Sequence, residues 1–483
     1  MAEKKLKVLF ASAEVMPFAK TGGLGDVAGA LPKALNAIGC QCIVAMPLYG
    51  GIKRDGLEKT KLTIAVTLAN STYQATVFKS KLDAKTEIYF IAQQELFSRP
   101  NPYGTPAGDY PDNDARFTFF NRAVLELCRA LRFKPDVIHV NDWHLGLVPV
   151  FLKNLPKRDY LNGAKSVLSL HNLAYQGLFP KESFRLCNLP DNLFGKSGVE
   201  MYGQLAFLKS GILFADALTA VSPTYAKEIL APELGFGLEK ILQKRGKSLK
   251  GILNGIDPEE WNPETDRLIP HRYSRKNIAG KAKCRAALLD KFNLSNNPAW
   301  PVVGIVSRLI EQKGFDMVAR AAEEMMKMDL YLVALGTGQP EYEEFFRGLQ
   351  LMHPQKVGLQ IGYDNAVAHQ IEAGSDLFLM PSKFEPCGLN QMYSLAYGTV
   401  PIVRATGGLK DSVANWQPAS RKGTGFVFKE ASAPALLGAL KKAVAAFANK
   451  KQWAKLVDNG MQQDFTWHKS AKLYLQLYKK VLT

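Results

Sequence analysis

Pro301-Val-Val-Gly-Ile-Val-Ser-Arg-Leu-Ile-Glu-Gln-Lys-Gly314 is the stretch that decides the fold of this chain. Its first six residues form a short apolar run that reads as a buried strand, and the polar turn behind it carries two cations, Arg308 and Lys313. The same grammar continues downstream, with strands predicted at Leu330–Leu335, Val357–Ile361, Asp376–Met380, Val400–Val403 and Gly425–Phe428 and helices between them. Upstream it repeats. Strands are predicted at Lys7–Ser12, Cys42–Pro47, Asp136–Val140, Ser166–Leu170, Ala217–Val221 and Lys250–Leu253. Helices are predicted at Leu24–Asn36, Ala115–Arg132, Leu205–Phe214 and Pro223–Leu230, and extra extended segments at Leu62–Val77 and Glu87–Ile91. Alternation of this kind argues for α/β halves with mostly parallel sheets. The stretch from Asn254 to about Pro301 is polar and proline-bearing, so it reads as a crossover or hinge between two doubly wound halves. In such sheets ligands sit at the carboxyl ends of strands.

Composition agrees with that division. A chain of 483 residues, 47% hydrophobic and 22% charged, fits two globular domains. Apolar runs such as Ile212–Val221 stop well short of the roughly 20 residues a membrane span needs, and Leu6–Ala11 lacks the pattern of a signal peptide. The six cysteines are scattered, with no Cys-x-x-Cys pair and no histidine cluster beside them, which points to a reducing cytoplasm and no metal site. The net charge of +17 is spread over dispersed lysines rather than a compact basic run. It reads as a solvated basic surface, with neither nucleic acid nor membrane as partner.

The motifs gather at strand ends. Lys20-Thr-Gly-Gly-Leu-Gly-Asp26 precedes a helix whose free N–H groups can hold phosphate, with Gly23 in the turn and Lys20 as a mobile cation. Gly23, Gly25 and Ala28 fit a loose dinucleotide pattern, but Ala13–Lys20 separates them from their strand and no acidic residue ends a second strand at the right distance. Thr21-Gly-Gly-Leu-Gly-Asp26 is echoed by Thr406-Gly-Gly-Leu-Lys-Asp411, in which Gly407 and Gly408 stand between a strand and a helix; this suggests related halves and a shared anion-facing role. Gly336-Thr-Gly338 is a further anion-tolerant turn. Arg308 and Lys313 are placed to stabilise a departing diphosphate. Phe384-Glu-Pro-Cys-Gly388 sets Glu385, Cys387 and Gly388 between a strand and a helix, while Asp142 and His171 each end a strand of the first half.

These strings together resemble the bacterial glycogen synthase family: Lys-Thr-Gly-Gly-Leu at 20–24, Asn-Asp-Trp-His at 141–144, His-Asn-Leu-Ala-Tyr-Gln-Gly at 171–177, Val-Ser-Pro-Thr-Tyr-Ala at 221–226, Leu-Asn-Gly-Ile-Asp at 253–257, Phe-Glu-Pro-Cys-Gly-Leu at 384–389 and Thr-Gly-Gly-Leu at 406–409. The resemblance spans essentially the whole chain. It implies a GT-B fold, two Rossmann-like domains (1–255 and 256–460) facing an interdomain cleft, and a C-terminal helix in 461–483 that crosses back to the first. It also implies retaining transfer of glucose from ADP-glucose to the non-reducing end of glycogen or another α-1,4-glucan, without cofactor or metal. By position, Lys20 resembles the donor-binding lysine, Arg308 and Lys313 the diphosphate clamp, and Glu385 the carboxylate that holds the transferred glucose. Asp142, His171 and Asn254 resemble the first domain's share of the sugar site, and Tyr363 the residue that stacks on adenine.

Two departures stand out. Tyr393 occupies the place eight positions after Glu385 where retaining relatives in other GT-B families carry a second glutamate, which matches the glycogen synthase subgroup. Asn390 stands where relatives often have threonine. With no dedicated nucleophile pair, the expected chemistry is attack from the face that the diphosphate leaves, not double displacement. The rival readings are a GT-B glucosyltransferase using UDP-glucose or a small-sugar acceptor, an inactive glucan-binding protein, a pyridoxal-phosphate phosphorylase, and a metal-dependent transferase built on Asp112-Asn-Asp114. That tripeptide lies in a polar loop rather than at a strand end, and no cofactor-lysine signature of a phosphorylase is found.

Overall fold

In the computed structural model, which describes residues 5–105 and 108–483, the apolar runs assemble into two separate large sheets. Two compact units result. One runs to Gly255 and takes up Trp467–Thr483; the other is Ile256–Thr466. Residues 461–466 stay with the second unit, where Phe465 O accepts from the Ile256 N–H at 2.8 Å and Thr466 bridges Ile256.

The first unit is built on β1 (Lys7–Ala11), β2 (Gln41–Pro47), β3 (Glu58–Leu68), β4 (Ser71–Lys81), β5 (Glu87–Ala92), β6 (Val137–Asn141), β7 (Lys165–Leu170), β8 (Ala217–Ala220) and β9 (Leu249–Gly251). They lie in the order β9-β8-β7-β6-β1-β2-β5-β4-β3. All neighbours are parallel except the β3–β4 and β4–β5 pairs. The single extended segment expected over Leu62–Val77 is thus a hairpin, turning at Ala69 with φ 49°. Its β3 alternates, burying Ile64, Val66 and Leu68 and exposing the residues between, as suits a strand covered on one face. Helix Phe207–Phe214 starts two residues later than expected because Gln204–Ala206 is itself a short strand.

The second unit holds β10 (Val302–Val306), β11 (Tyr331–Gly336), β12 (Val357–Ile361), β13 (Leu377–Met380), β14 (Val400–Arg404) and β15 (Phe426–Phe428). All pair in parallel, in the order β12-β11-β10-β13-β14-β15. Strand order reverses between β10 and β13 here and between β1 and β6 in the first unit. Loops leaving neighbouring strands at such a point diverge and leave a crevice. At the middle of β10, a Cβ on Gly304 would come within 2.5 Å of Ser375 Oγ and 2.8 Å of Ile371 Cγ2, so that glycine lets a helix lie directly on the strand.

Two sequence readings are corrected. The crossover contains a three-turn helix, Ala279–Lys291, which buries Cys284, Leu288 and Leu289. The Thr-Gly-Gly-Leu echo does not mark equivalent places. The first copy follows the first strand of its sheet, the second follows β14, the fifth strand of its own; helix begins at Gly23 in one and at Gly407 in the other.

The C-terminal helix Trp467–Leu482 buries Ser470, Tyr474 and Tyr478, spaced four apart on one stripe. Tyr478 Oη lies 2.6 Å from His139 Nδ1, His139 Nε2 lies 2.7 Å from Ser169 Oγ, and Ser169 Oγ lies 2.6 Å from Thr219 Oγ1. A buried polar chain therefore links the helix to β6, β7 and β8. Among the described residues no helix is long and apolar enough to cross a membrane. Tyr478→Phe strands His139 Nδ1 without a partner and should cost about 1–3 kcal/mol of first-unit stability, read as a lower urea midpoint at unchanged slope.

Candidate active site

In the first unit the reversal point is tied by Asn141 at the end of β6, whose Nδ2 donates to Ala11 O at the end of β1 at 2.9 Å. Asn141 Oδ1 lies 3.0 Å from His171 Nε2. Asp142, the next residue, has φ 56° and ψ −172°, a region that only glycine enters without strain. The strained backbone directs its carboxylate to the N–H groups of His171 and Asn172, at 2.9 and 3.4 Å. Burial pushes the Asp142 carboxyl up to about 7, while those two N–H donors pull the other way and Glu14 adds to the rise. Burial drives the His171 imidazole down to about 3, so it is neutral near pH 7.

Glu14 was not singled out in the sequence, yet it organises the glycine loop. Its carboxylate accepts from the Thr21 N–H, Thr21 Oγ1, the Gly22 N–H and Tyr103 Oη. Lys20 emerges from that loop and pairs with Asp26 in the first turn of the following helix at 2.7 Å, with Gly23 as its first residue. Asn254 is buried just past β9, and its Oδ1 makes no hydrogen bond to any described residue. Asp112 and Asp114, the residues of the metal-type tripeptide, are engaged by Arg99 and by Ser183 Oγ respectively.

In the second unit the loops after β10 and β13 meet. Lys313 Nζ lies 2.7 Å from Glu385 Oε2, and Ser382 Oγ donates to the same oxygen at 2.8 Å. The Glu385 side chain is only 7% exposed, so its charge is matched where it stands. Glycine makes the approach possible. Gly314 has φ 75°, and a Cβ there would sit 2.1 Å from Pro381 O. Gly407 and Gly408 run against the backbone of the same loop, where Cβ atoms would meet Glu385 O at 1.9 Å and Cys387 O at 2.1 Å. Arg404, also missed in the sequence, braces the loop by donating to Ser382 O at 2.9 Å and to Lys383 O.

The remaining candidates lie around this cluster. Cys387 and Thr406 are buried, and Gly388 turns with φ 70° into helix Asn390–Ala396. Arg308 is exposed just past β10. Gly336 packs on Ser307 O and accepts from the Gly362 N–H at 2.9 Å, which brings the loops after β10, β11 and β12 side by side. Tyr363, on the last of these, is 68% exposed.

Asn390 acquires a role: its Nδ2 donates to Val306 O at 3.1 Å, fastening the helix behind Glu385 to the end of β10. Tyr393 stacks on Trp261 at 3.8 Å, and Trp261 stacks on His369 at 3.8 Å. Asp266 accepts from Tyr397 Oη at 2.6 Å and lies 2.8 Å from His369 Nδ1. The residue in place of a second carboxylate is thus part of an aromatic clamp on the helix.

A family model of the starch synthase catalytic domain matches residues 7–244, and one of glycosyl transferases group 1 matches 289–463. The chain is 45% identical over 476 residues to a glycogen synthase of Koribacter versatilis (strain Ellin345), covering 98% of both chains. It belongs to the glycogen and starch synthase family. It is therefore a glycosyltransferase. A glycogen synthase of Anaeromyxobacter sp. (strain Fw109-5) is 46% identical over 99% of both chains. Among solved structures, the catalytic domain of starch synthase IV from Arabidopsis thaliana, bound to ADP and acarbose, superposes with a TM-score of 0.93 at 32% identity, covering 99% of this chain and 100% of that one. A sucrose-phosphate synthase from Thermosynechococcus elongatus, at 18% identity and a TM-score of 0.60, shares the fold. The two Rossmann-like sheets are those of a GT-B enzyme of the glycogen synthase family.

The histidines and Asp142 give opposite pH signatures. His139 and His171 are both held near 3 by burial, so the unfolded chain takes up protons near pH 6.5 that the native one refuses. Their contribution to stability is lost as pH falls from 6.5 toward 3. Asp142 is raised, so its contribution is lost as pH rises through about 7. Asp142→Asn should accordingly melt close to the parent at pH 4 and above it at pH 8, as measured by calorimetry.

Proposed function

We propose that this enzyme transfers glucose from ADP-glucose to the 4-hydroxyl at the non-reducing end of an α-1,4-glucan such as glycogen, with retention and without a metal. The observation that carries this reading is the Lys313–Glu385 pair at the β10–β13 reversal point, with Arg308 beside it in sequence. Arg308 and Lys313 hold the diphosphate and take up the charge that builds on it as the anomeric C–O bond breaks. Glu385 holds the transferred glucose and supports positive charge at its anomeric carbon. Gly336 and the Thr406-Gly-Gly408 turn let backbone approach the donor, Cys387 and Gly388 line the glucose, and Tyr363 stacks on adenine.

From the first unit, Lys20 and Gly23 meet the donor phosphates. Asp142, His171 and Asn254 meet sugar hydroxyls, His171 as a neutral hydrogen-bonding group and Asn254 through an acceptor oxygen that no described residue satisfies. The acceptor 4-hydroxyl attacks on the face that ADP leaves. Its oxygen bonds to the anomeric carbon, and its proton passes to the departing phosphate oxygen. A cytoplasmic setting agrees with six cysteines that are free, buried thiols.

Glucosyl transfer onto glycogen from ADP-glucose and from UDP-glucose, each with and without chelator, tests the reading. Chelator-resistant preference for ADP-glucose is expected; a UDP-glucose preference or loss with chelator would overturn it. Glu385→Gln should lower kcat by roughly 10²–10³-fold, the range for losing a preorganised charge partner. Mass-spectrometric capture of a glucosyl ester on Glu385 or Asp142 would replace same-face attack with double displacement.

A further inference from the structure

Gln391 is fully buried in helix Asn390–Ala396, about one turn past Gly388. Its Nε2 faces three acceptors, Cys387 O and Gly388 O at 3.1 Å and Ser412 Oγ at 3.0 Å. The amide fits only this way round. Carbonyl oxygens accept and never donate, and Ser412 Oγ already gives its proton to Gly408 O at 2.5 Å. The other end of the amide is left over: Oε1 is buried and meets no donor among the described residues. An unpaired buried oxygen costs free energy that a methionine of similar length would avoid. The donor end is therefore what this position uses.

That end acts on the backbone beside Glu385. Pro386 O and Glu385 O both accept from the Gly408 N–H at 3.2 Å, and the next two carbonyls accept from Gln391. The carbonyls of 385–388 are thus all tied to protein donors, two of them by one side chain. A trans peptide sets its N–H opposite its C=O, so drawing in Cys387 O and Gly388 O turns the Gly388 and Leu389 N–H groups away from Gln391. A Cβ on Gly388 would lie 2.6 Å from Gln391 Oε1 and 3.1 Å from Glu385 Cγ. The amide and the stem of the carboxylate therefore border the same space, which only glycine leaves open.

We infer that Gln391 is a positioning residue for glucosyl transfer: it fixes the peptide bonds that follow Glu385 in the one orientation that holds the glucose being moved. The inference rests on the reaction proposed above. Gln391 acts through the loop, and any hydrogen bond that the Gly388 or Leu389 N–H gives to the sugar depends on it. Ser412 extends the hold to the Gly407-Gly408 turn, so one amide keeps two loops in register.

Gln391→Glu and Gln391→Met in the full chain keep the length of the side chain. The first puts a carboxylate, which accepts, where the donor stood; the second puts no hydrogen-bonding hydrogen there at all. With ADP-glucose and glycogen, each should lower kcat by roughly ten- to a hundredfold, the scale of a slight misplacement at the reacting centre. KM for glycogen should not change, and calorimetric titration with ADP should return the parent's affinity and stoichiometry. A kcat within about twofold of the parent's in the soluble variants would overturn the inference. So would a fall in kcat matched by an equal fall in ADP stoichiometry, or recovery of both variants only as aggregate, since either assigns Gln391 to folding. A parent that transfers glucose from neither donor would reject the reaction by itself. The positioning is then judged by affinity for ADP-glucose, which should weaken toward that for ADP in both variants; unchanged affinity would overturn it.

Discussion

A carboxylate as buried as Glu385 needs partners for its oxygens, and Lys313 Nζ 2.7 Å away supplies one. Much of the second unit follows from bringing those two groups together. They come from loops after β10 and β13, adjacent strands at the reversal of sheet order, so topology delivers them to one place. The loops then have to touch backbone to backbone. Gly314, Gly407 and Gly408 permit the contact, and Arg404 takes up carbonyls that the tight path leaves over.

The first unit reaches the same topological point with a different electrostatic solution. Around Asp142 its polar groups are neutral imidazoles, amides and a carboxyl whose ionisation burial resists. Orientation here comes from hydrogen bonds and from strained backbone at Asp142, while the glycine loop carries the Lys20–Asp26 ion pair.

Most strands were legible because parallel strands buried on both faces read as uninterrupted apolar runs; Val302–Val306 and Tyr331–Gly336 needed no more than that. Helix Ala279–Lys291 was hidden because it buries only a narrow stripe and lies amid prolines and asparagines. The motif strings pointed to Glu385, Lys313, Asp142 and His171, since strand-loop-helix order alone puts them at carboxyl ends. Glu14, Arg404 and Trp261 were not legible. Their roles are contacts with residues far along the chain, such as Glu14 with Tyr103 and Trp261 with Tyr393, and no local pattern records those. The repeated Thr-Gly-Gly-Leu misled for the converse reason. The same four residues serve any tight strand-to-helix turn and do not report which strand precedes them.

The second unit is a continuous piece of chain set within the first, because Trp467–Thr483 belongs with the residues before Gly255. That arrangement imposes an order on synthesis. As the polypeptide leaves the ribosome, the inserted unit has all its strands once Thr466 has emerged. The earlier unit must still wait for its last helix, for Tyr478 meets His139 across 339 positions of sequence. Until then the surface reserved for that helix is uncovered on a nascent chain, and contacts this distant in sequence form slowly. A protein truncated by even this final helix would thus lose a wall of the unit made first.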